Sequence, residues 1–132
     1  PVLIGKVNLS SLISYDNVAD ATSYHDMQEL LCITDLLITD YSSSMFDIGM
    51  LRKPCLLYAT DIDKYNRGYY FRFEEMPFPL ARNEQELLDN IREFNMETYL
   101  QNLDIFFREK IGMVENGTSS KALSEWMSSQ TN

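Results

Sequence analysis

Short apolar runs between polar residues predict strands in the first half of the chain. "DLLITD" at 35–40 and "CLLYA" at 55–59 are apolar runs beside polar residues, as is typical of buried parallel strands. "NVADAT" at 17–22 predicts a weaker strand. "VLIG" at 2–5 is either a first strand or the end of an element that starts upstream.

Helices are predicted between these strands. "SYHDMQELLCIT" begins with Ser23, and Asp26 follows three residues later, which is the spacing of a capping box. "SSSMFDIGML" predicts a short helix capped by Ser42 or Ser43. Because helical segments alternate with apolar strands, the sequence predicts an α/β fold with a Rossmann-like parallel sheet and flanking helices.

The second half of the chain is predicted to be mostly helical. Residues 60–82 have a loop-like composition, and Asn83 and Glu86 form a capping box at the start of the next helix. Three helices follow, with apolar residues at helical spacing. These are Leu87, Leu88, Ile91 and Phe94, then Tyr99, Leu103, Phe106 and Phe107, then Ala122, Leu123 and Trp126. We expect the aromatic residues of the last two helices, with Ala122 and Leu123, to face the core of a single domain, residues 1–132.

Composition narrows the possible functions. A net charge of −9 makes nucleic acid a poor partner, although a local phosphate site at a helix start is compatible with it. No apolar run approaches the roughly 18 residues that span a bilayer. Cys32 and Cys55 lie in apolar segments, so we interpret them as reduced core residues of a cytosolic protein. A single histidine and no Cys/His cluster argue against a zinc site.

Candidate chemistry concentrates in "LLITDYSSSMFDIGMLRKP", residues 36–54, where a predicted strand is followed by a helix. Ligands of parallel α/β sheets bind at the carboxyl ends of strands, so residues after Asp40 would lie at a binding edge. Hydroxyl and N–H groups of Ser42 and Ser43 would suit a phosphate, and Asp47 would suit the hydroxyls of a ribose or polyol. In the alternative interpretation, Ser42 only caps the helix, Asp47 is solvated and Asp40 ends the strand.

The segment "DLLITDYSSSMFDIGMLRKPCLLYATDIDKYNRGYYF" resembles the CDP-glycerol glycerophosphotransferase family, the bacterial teichoic acid polymerases. The family pattern resembles D-x-L-I-T-D-Y-S-S-x-x-F-D, then K-P with an apolar strand, then D-x-x-x-Y and R-G-F/Y-Y. The resemblance is specific over 35–71 and looser over 16–34 and the C-terminal helices. The sequence departs at "MPFPL", where the family more often has a glycine.

This resemblance implies the C-terminal lobe of a GT-B fold, which would be the donor-nucleotide-binding fragment of a longer enzyme. In that lobe, Ser42 and Ser43 would hold the pyrophosphate of the donor. Asp47 would contact its ribose or glycerol hydroxyls. Asp40, at the end of the predicted strand, is also predicted to bind substrate.

Two further positions belong to the same resemblance. Arg67 would grip phosphate and Gly68 would allow close backbone approach, unless both only form an exposed turn. Asp61 and Tyr65 are interpreted as loop-packing residues, with a place in the cleft as the alternative.

The reaction implied by the resemblance is phosphoryl transfer. A terminal hydroxyl of the growing polymer attacks the glycerol-bearing phosphate of CDP-glycerol, and CMP leaves. Positioning and charge stabilisation dominate such a reaction, so we expect no cofactor, and the need for a metal stays open. We expect the general base to be a histidine upstream of Pro1. His25 is assigned no role, and the isolated chain is expected to be inactive.

The sequence therefore predicts the donor-binding domain of a transferase that adds glycerol phosphate to a growing teichoic acid, and it does not separate glycerol from ribitol. The alternatives are a GT-B glycosyltransferase domain that uses a nucleotide-sugar for capsule or wall polysaccharide, and a nucleotide-binding module without activity. The expected partners are a CDP-polyol and the teichoic acid polymer or its lipid-linked primer. The expected location is the cytoplasmic face of the bacterial membrane, with membrane contact only through a missing N-terminal part.

Overall fold

A computed structural model describes residues 16–64, 68, 70–113 and 117–130. The chain divides into two units, Pro1–Asp35 and Leu36–Asn132. In the first unit, the described part contains an isolated β-bridge at Val18 and the helix α1 (Met27–Ile33). Only Val18 thus represents the predicted "NVADAT" strand, and the predicted "VLIG" strand lies outside the described residues.

The helix α1 corrects two predictions. Asp26, and not Ser23, is the N-cap, and its carboxylate accepts the N–H groups of Gln28 and Glu29 at 2.8 and 3.2 Å. A carboxylate satisfies two unpaired donors there and carries the charge that a helix N-terminus favours. Further along α1, the prediction that Cys32 is a core residue is wrong, because Cys32 is exposed. Its neighbour Leu31 is the buried residue, since adjacent positions on a helix point about 100° apart.

The second unit is built on a parallel sheet in the order β1 (Leu37–Thr39), β2 (Cys55–Tyr58), β3 (Leu80–Ala81). Leu37 pairs with Cys55, and Leu57 pairs with Leu80. Cys55, Leu56 and Leu57 of the central strand are buried. The two strands predicted at 35–40 and 55–59 are therefore confirmed.

The third strand lies inside the segment that was predicted to be loop. It is two residues long and follows Pro79, whose carbonyl oxygen accepts the N–H of Leu57 at 2.8 Å. The N–H of Ala59 donates to the carbonyl of Ala81 at 2.9 Å. Proline is acceptable at the start of such an edge strand because it lacks only a donor. Two residues are too few to show an apolar pattern, which explains why the prediction missed β3.

The helix between β1 and β2, α2 (Ser44–Met50), packs against α4 (Met96–Phe106) and its continuation through Gly49. A Cβ atom at Gly49 would lie 3.0 Å from Cε2 of Phe107 and 3.3 Å from Cδ1 of Leu103. Both of these side chains are buried. Glycine is therefore the residue that allows the two helices to approach this closely.

The end of α2 is fixed by a Schellman motif. The N–H of Arg52 donates to the carbonyl of Gly49 at 2.9 Å, and that of Lys53 donates to the carbonyl of Ile48 at 3.2 Å. Arg52 has φ +59°, a left-handed conformation that is uncommon without glycine. Its guanidinium makes two hydrogen bonds to the carboxylate of Asp104 on α4, which lower the pKa of Asp104. Glycine at this position would remove that ion pair.

The C-terminal helices are α3 (Glu84–Arg92), α4, a π-helix (Phe107–Ile111) and α5 (Ser119–Ser129). Asn83 caps α3 as predicted, because its Oδ1 accepts the N–H of Glu86 at 2.9 Å. The π-helix ends before Gly112, which has φ +67°. The side chains predicted to form the core of α4 and its continuation are all buried: Tyr99, Leu103, Phe106 and Phe107.

The predicted orientation of α5 is wrong. Leu123 and Trp126 are 57% and 60% exposed, and Ala122 is exposed as well. Helical spacing identifies the apolar face of a helix but does not identify what covers that face. Within the described part of the chain, no residue of α5 is buried. None of the described helices combines the length and the apolar character needed to cross a membrane.

We expect Gly49→Val to lower the free energy of unfolding by roughly 2 kcal/mol, because overpacking a buried contact typically costs 1–3 kcal/mol. Gly68→Val is the matched control, since no atom of the described residues lies within 4 Å of a Cβ at Gly68 and its φ is not left-handed. Urea denaturation would measure both variants. Equal stabilities of the two would contradict the close α2–α4 contact.

The two cysteines should differ in reactivity. Burial raises the pKa of the Cys55 thiol to about 12, whereas Cys32 is exposed. Because the thiolate is the reactive form, one thiol per chain should react with a thiol reagent at pH 8, and the second only after denaturation. In a Cys32→Ser variant the native chain should not react. Rapid modification of that variant would show that Cys55 is accessible.

Candidate functional site

The strongest candidate for a site is the serine loop (residues 40–43), which leaves the carboxyl end of β1 and leads into α2. Parallel α/β sheets bind their ligands at this edge. The loop contains Asp40, Ser42 and Ser43, and Asp47 lies on the first turns of α2. Four of the six residues predicted to bind substrate are thus brought to one edge of the sheet.

The three consecutive serines have different roles. Ser42 Oγ accepts the N–H of Ser44 at 3.3 Å and the hydroxyl of Ser44 at 2.8 Å. Ser43 occupies the N-cap position, but its backbone is helical and its side chain makes no capping hydrogen bond. Ser44 is buried, whereas Ser42 and Ser43 are exposed. Ser42 therefore braces the start of α2, and the hydroxyl of Ser43 faces solvent.

The serine loop has hydrogen-bond donors available. The carbonyls of Ser42 and Ser43 accept the N–H groups of Met45 and Phe46, at 3.2 and 2.9 Å. The N–H groups of Ser42 and Ser43 donate to no acceptor among the described residues. Ser42 Oγ accepts two hydrogen bonds, so its own hydrogen can donate outward. Two N–H groups and two hydroxyls of this loop are therefore available as donors.

Two carboxylates lie on either side of these donors along the chain. Asp40 is exposed and Asp47 is half-buried, and neither makes a side-chain hydrogen bond to another described residue. A carboxylate repels a phosphate but accepts hydrogen bonds from hydroxyl groups. Asp47 therefore suits the hydroxyls of a ribose or polyol, as the sequence predicts.

One contact at this edge was not predicted. The hydroxyl of Tyr41 donates to Oδ1 of Asp61 at 2.6 Å, and the Tyr41 ring meets Phe73 edge-on at 5.7 Å between centroids. The hydrogen bond agrees with the predicted loop-packing role of Asp61. No role was assigned to Tyr41, because a contact over twenty residues leaves no local signal in one sequence.

The structure does not test a site role for the remaining predicted positions. Arg67 and Tyr65 lie outside the described residues. Gly68 is exposed and would tolerate a Cβ, so packing within the described chain does not require glycine there. Its role in close approach to a ligand stays a prediction. His25 is exposed and belongs to the Pro1–Asp35 unit.

A groove in the Leu36–Asn132 unit contains none of the residues of the serine loop. It is a groove of about 450 Å³ between residues 74–79 and the face of α4 and the π-helix that carries Ile105 and Phe106. Its charged lining consists of Glu74, Glu75, Glu109 and Lys110, and it contains none of the described residues predicted to bind substrate. An excess of carboxylates disfavours a phosphorylated ligand. The described residues also contain no group of three or more acidic, cysteine or histidine side chains that could hold a metal.

Comparison with known proteins gives one consistent family. Residues 5–127 match the model of the family described as CDP-Glycerol:Poly(glycerophosphate) glycerophosphotransferase. The teichoic acid glycerol-phosphate transferase of Staphylococcus aureus (strain NCTC 8325 / PS 47) is 36% identical over 114 residues, which are 82% of this chain and 29% of the relative. The teichoic acid poly(ribitol-phosphate) polymerase of Bacillus spizizenii (strain ATCC 23059 / NRRL B-14472 / W23) is 37% identical over 98 residues, which are 70% of this chain and 16% of the relative.

Solved structures agree with this result. The wall teichoic acid polymerase TagF, in a variant soaked with CDPG, aligns with a TM-score of 0.72 and 32% identity over 96% of this chain. This likeness confirms the predicted fold class, a Rossmann-like parallel sheet with flanking helices, as in the C-terminal lobe of a GT-B fold. The chain spans 34% of that structure and smaller parts of the two relatives above.

The hydrogen bonds of the serine loop predict how two substitutions affect stability. Ser44→Ala removes a buried hydroxyl and its hydrogen bond to Ser42, and it should lower the free energy of unfolding by about 1 kcal/mol. Ser43→Ala should leave stability unchanged, because that hydroxyl is exposed and caps nothing. Urea denaturation of the two variants would compare them. A larger loss for Ser43→Ala would show that Ser43 is the true cap.

Proposed function

The chain belongs to the CDP-glycerol:poly(glycerophosphate) glycerophosphotransferase family, and we propose that it is the donor-binding part of an enzyme that moves glycerol phosphate from CDP-glycerol to a teichoic acid polymer. The observation that carries the proposal is the serine loop at the carboxyl edge of the sheet, within the residues that match the family. The proposal concerns a part of such an enzyme, because the chain covers only part of each relative.

Ser42 and Ser43 are proposed to hold the pyrophosphate of the donor. Their N–H groups and hydroxyls supply directed donors at one loop, which compensates locally for the net charge of −9. Asp40, the first residue of the same loop, is proposed to contribute to substrate binding there. These donors need no positive side chain, which explains how an acidic chain can bind an anion.

Asp47 is proposed to bind the hydroxyls of the ribose, or of the glycerol. Its half-buried carboxylate lies on α2, after the serine loop, and has no hydrogen-bond partner among the described residues. Arg67 and Gly68 are proposed to complete the phosphate contacts from the segment after β2. For these two residues the support is the family pattern.

The proposed reaction needs positioning more than covalent chemistry from this part of the enzyme. A hydroxyl of the acceptor attacks the phosphorus that carries the glycerol, the bond to the CMP oxygen breaks, and CMP leaves. Hydrogen-bond donors that hold the pyrophosphate would stabilise the negative charge that develops on CMP as it leaves. The general base is proposed to be a histidine outside this chain, and no cofactor is part of the proposal.

The acceptor and the location follow from the same family. The named relatives act in teichoic acid synthesis, with glycerol phosphate in one case and ribitol phosphate in another. We therefore propose a teichoic acid polymer, or its lipid-linked primer, as the acceptor. A place at the cytoplasmic face of the bacterial membrane, held by another part of the enzyme, completes the proposal.

Calorimetric titration of the chain tests the proposed donor. We expect CDP-glycerol and CDP to bind more tightly than a UDP-sugar, because the family's donor carries cytidine diphosphate. CDP-ribitol in the same series would show which polyol is preferred. Tighter binding of the UDP-sugar, or no binding of any nucleotide, would contradict a CDP-polyol site in this chain.

Exchange of the loop serines tests the proposed site. The double variant Ser42→Ala/Ser43→Ala should bind CDP-glycerol roughly tenfold or more weakly, since a hydrogen bond to a charged group contributes about 1.5–3 kcal/mol. Ser120→Ala/Ser124→Ala on α5 is the matched control, because it removes two exposed hydroxyls elsewhere. Equal affinities of the two folded variants would place the phosphates away from the serine loop.

A further inference from the structure

The unpredicted hydrogen bond of Tyr41 joins the segments that follow two neighbouring strands. Tyr41 comes two residues after the end of β1, and Asp61 comes three residues after the end of β2. Their side chains meet with 2.6 Å between Tyr41 Oη and Asp61 Oδ1. The contact therefore bridges the carboxyl edge of the sheet beside the serine loop.

Both ends of this bridge are anchored. The Tyr41 ring packs edge-on against Phe73, which is only 5% exposed. The carbonyl of Asp61 accepts the N–H of Lys64 at 2.8 Å, and Ala59 is bound to β3. The Tyr41 side chain thus contacts a buried aromatic ring and a hydrogen-bonded turn. These contacts fix the position of Tyr41, whose backbone continues directly into Ser42.

We propose that the Tyr41–Asp61 pair is a positioning device that sets the serine loop for the donor's phosphates. Tyr41 and Asp61 act through the backbone of Ser42 and Ser43 and do not touch the donor. The inference rests on the proposed donor site. Because Tyr41 donates its only hydroxyl hydrogen to Asp61, that hydrogen is not available to a phosphate.

Single substitutions remove one partner of the Tyr41–Asp61 hydrogen bond at a time. Tyr41→Phe and Asp61→Ala should each weaken CDP binding roughly three- to tenfold, as expected for the loss of one hydrogen bond. The double variant should be no weaker than either single one, because both changes break the same contact. Asp61→Asn keeps an oxygen acceptor for the phenol and should restore most of the affinity.

A matched control exists in the other unit of the chain. The hydroxyl of Tyr24 donates to Oε2 of Glu29 at 2.7 Å in a similarly exposed pair. Tyr24→Phe should leave CDP affinity unchanged. Cytidine is the control ligand, because it lacks the phosphates of CDP. The wild type and Tyr41→Phe should bind cytidine with the same affinity.

The outcomes separate this inference from the proposed function. If the wild type does not bind CDP, the proposed function fails. A second outcome is that the wild type binds CDP and that Ser42→Ala/Ser43→Ala binds it more weakly. If Tyr41→Phe and Asp61→Ala then bind CDP as tightly as the wild type, only the positioning role fails. Weakening by Tyr41→Phe but not by Asp61→Ala would show a direct contact of Tyr41 with the donor. If a variant loses both its affinity for CDP and the circular-dichroism signal of the folded chain, the pair has a role in stability. That result would also overturn the proposal.

Discussion

The close packing of α2 on α4 is the constraint on which the candidate site depends. Gly49 brings α2 against Phe107 and Leu103, and the ion pair between Arg52 and Asp104 joins the same two helices at the end of α2. The other end of α2 is the serine loop. Because a seven-residue helix is short and stiff, fixing its C-terminal half also fixes the direction of its first turn.

The anion site proposed at this edge is compatible with an acidic chain. Net charge describes the long-range field, whereas a phosphate within hydrogen-bond distance responds to the donors that face it. At the serine loop these donors are the N–H groups and hydroxyls of Ser42 and Ser43. The charged residues that line the groove along α4 are three glutamates and one lysine, so the charge of that groove disfavours the same ligand.

Elements that carry a local signal could be predicted from the sequence. The apolar runs of β1 and β2, the Asn83 cap and the aromatic core of α4 each depend on neighbouring residues, and the structure has all of them. Features that depend on distant contacts could not be predicted. Leu123 and Trp126 are spaced as a core face but are exposed, and β3 is defined by its pairing with β2.

In the candidate site, too, some features could be predicted from the sequence and others could not. The order strand, serines, helix places Ser42, Ser43 and Asp47 together from the sequence alone. The choice of Ser42 as the bracing hydroxyl depends on helix geometry at Ser44, and the Tyr41–Asp61 bond depends on the adjacency of two strands. Neither can be obtained from spacing.

The most direct measurement of the central claim is a nuclear magnetic resonance titration of the ¹⁵N-labelled chain with CDP-glycerol. If the donor's phosphates bind at the serine loop, the largest saturable shifts will be at the amides of Ser42, Ser43 and Ser44. Shifts centred instead on Glu74, Glu75 and Glu109 would place the ligand in the groove along α4 and contradict the account.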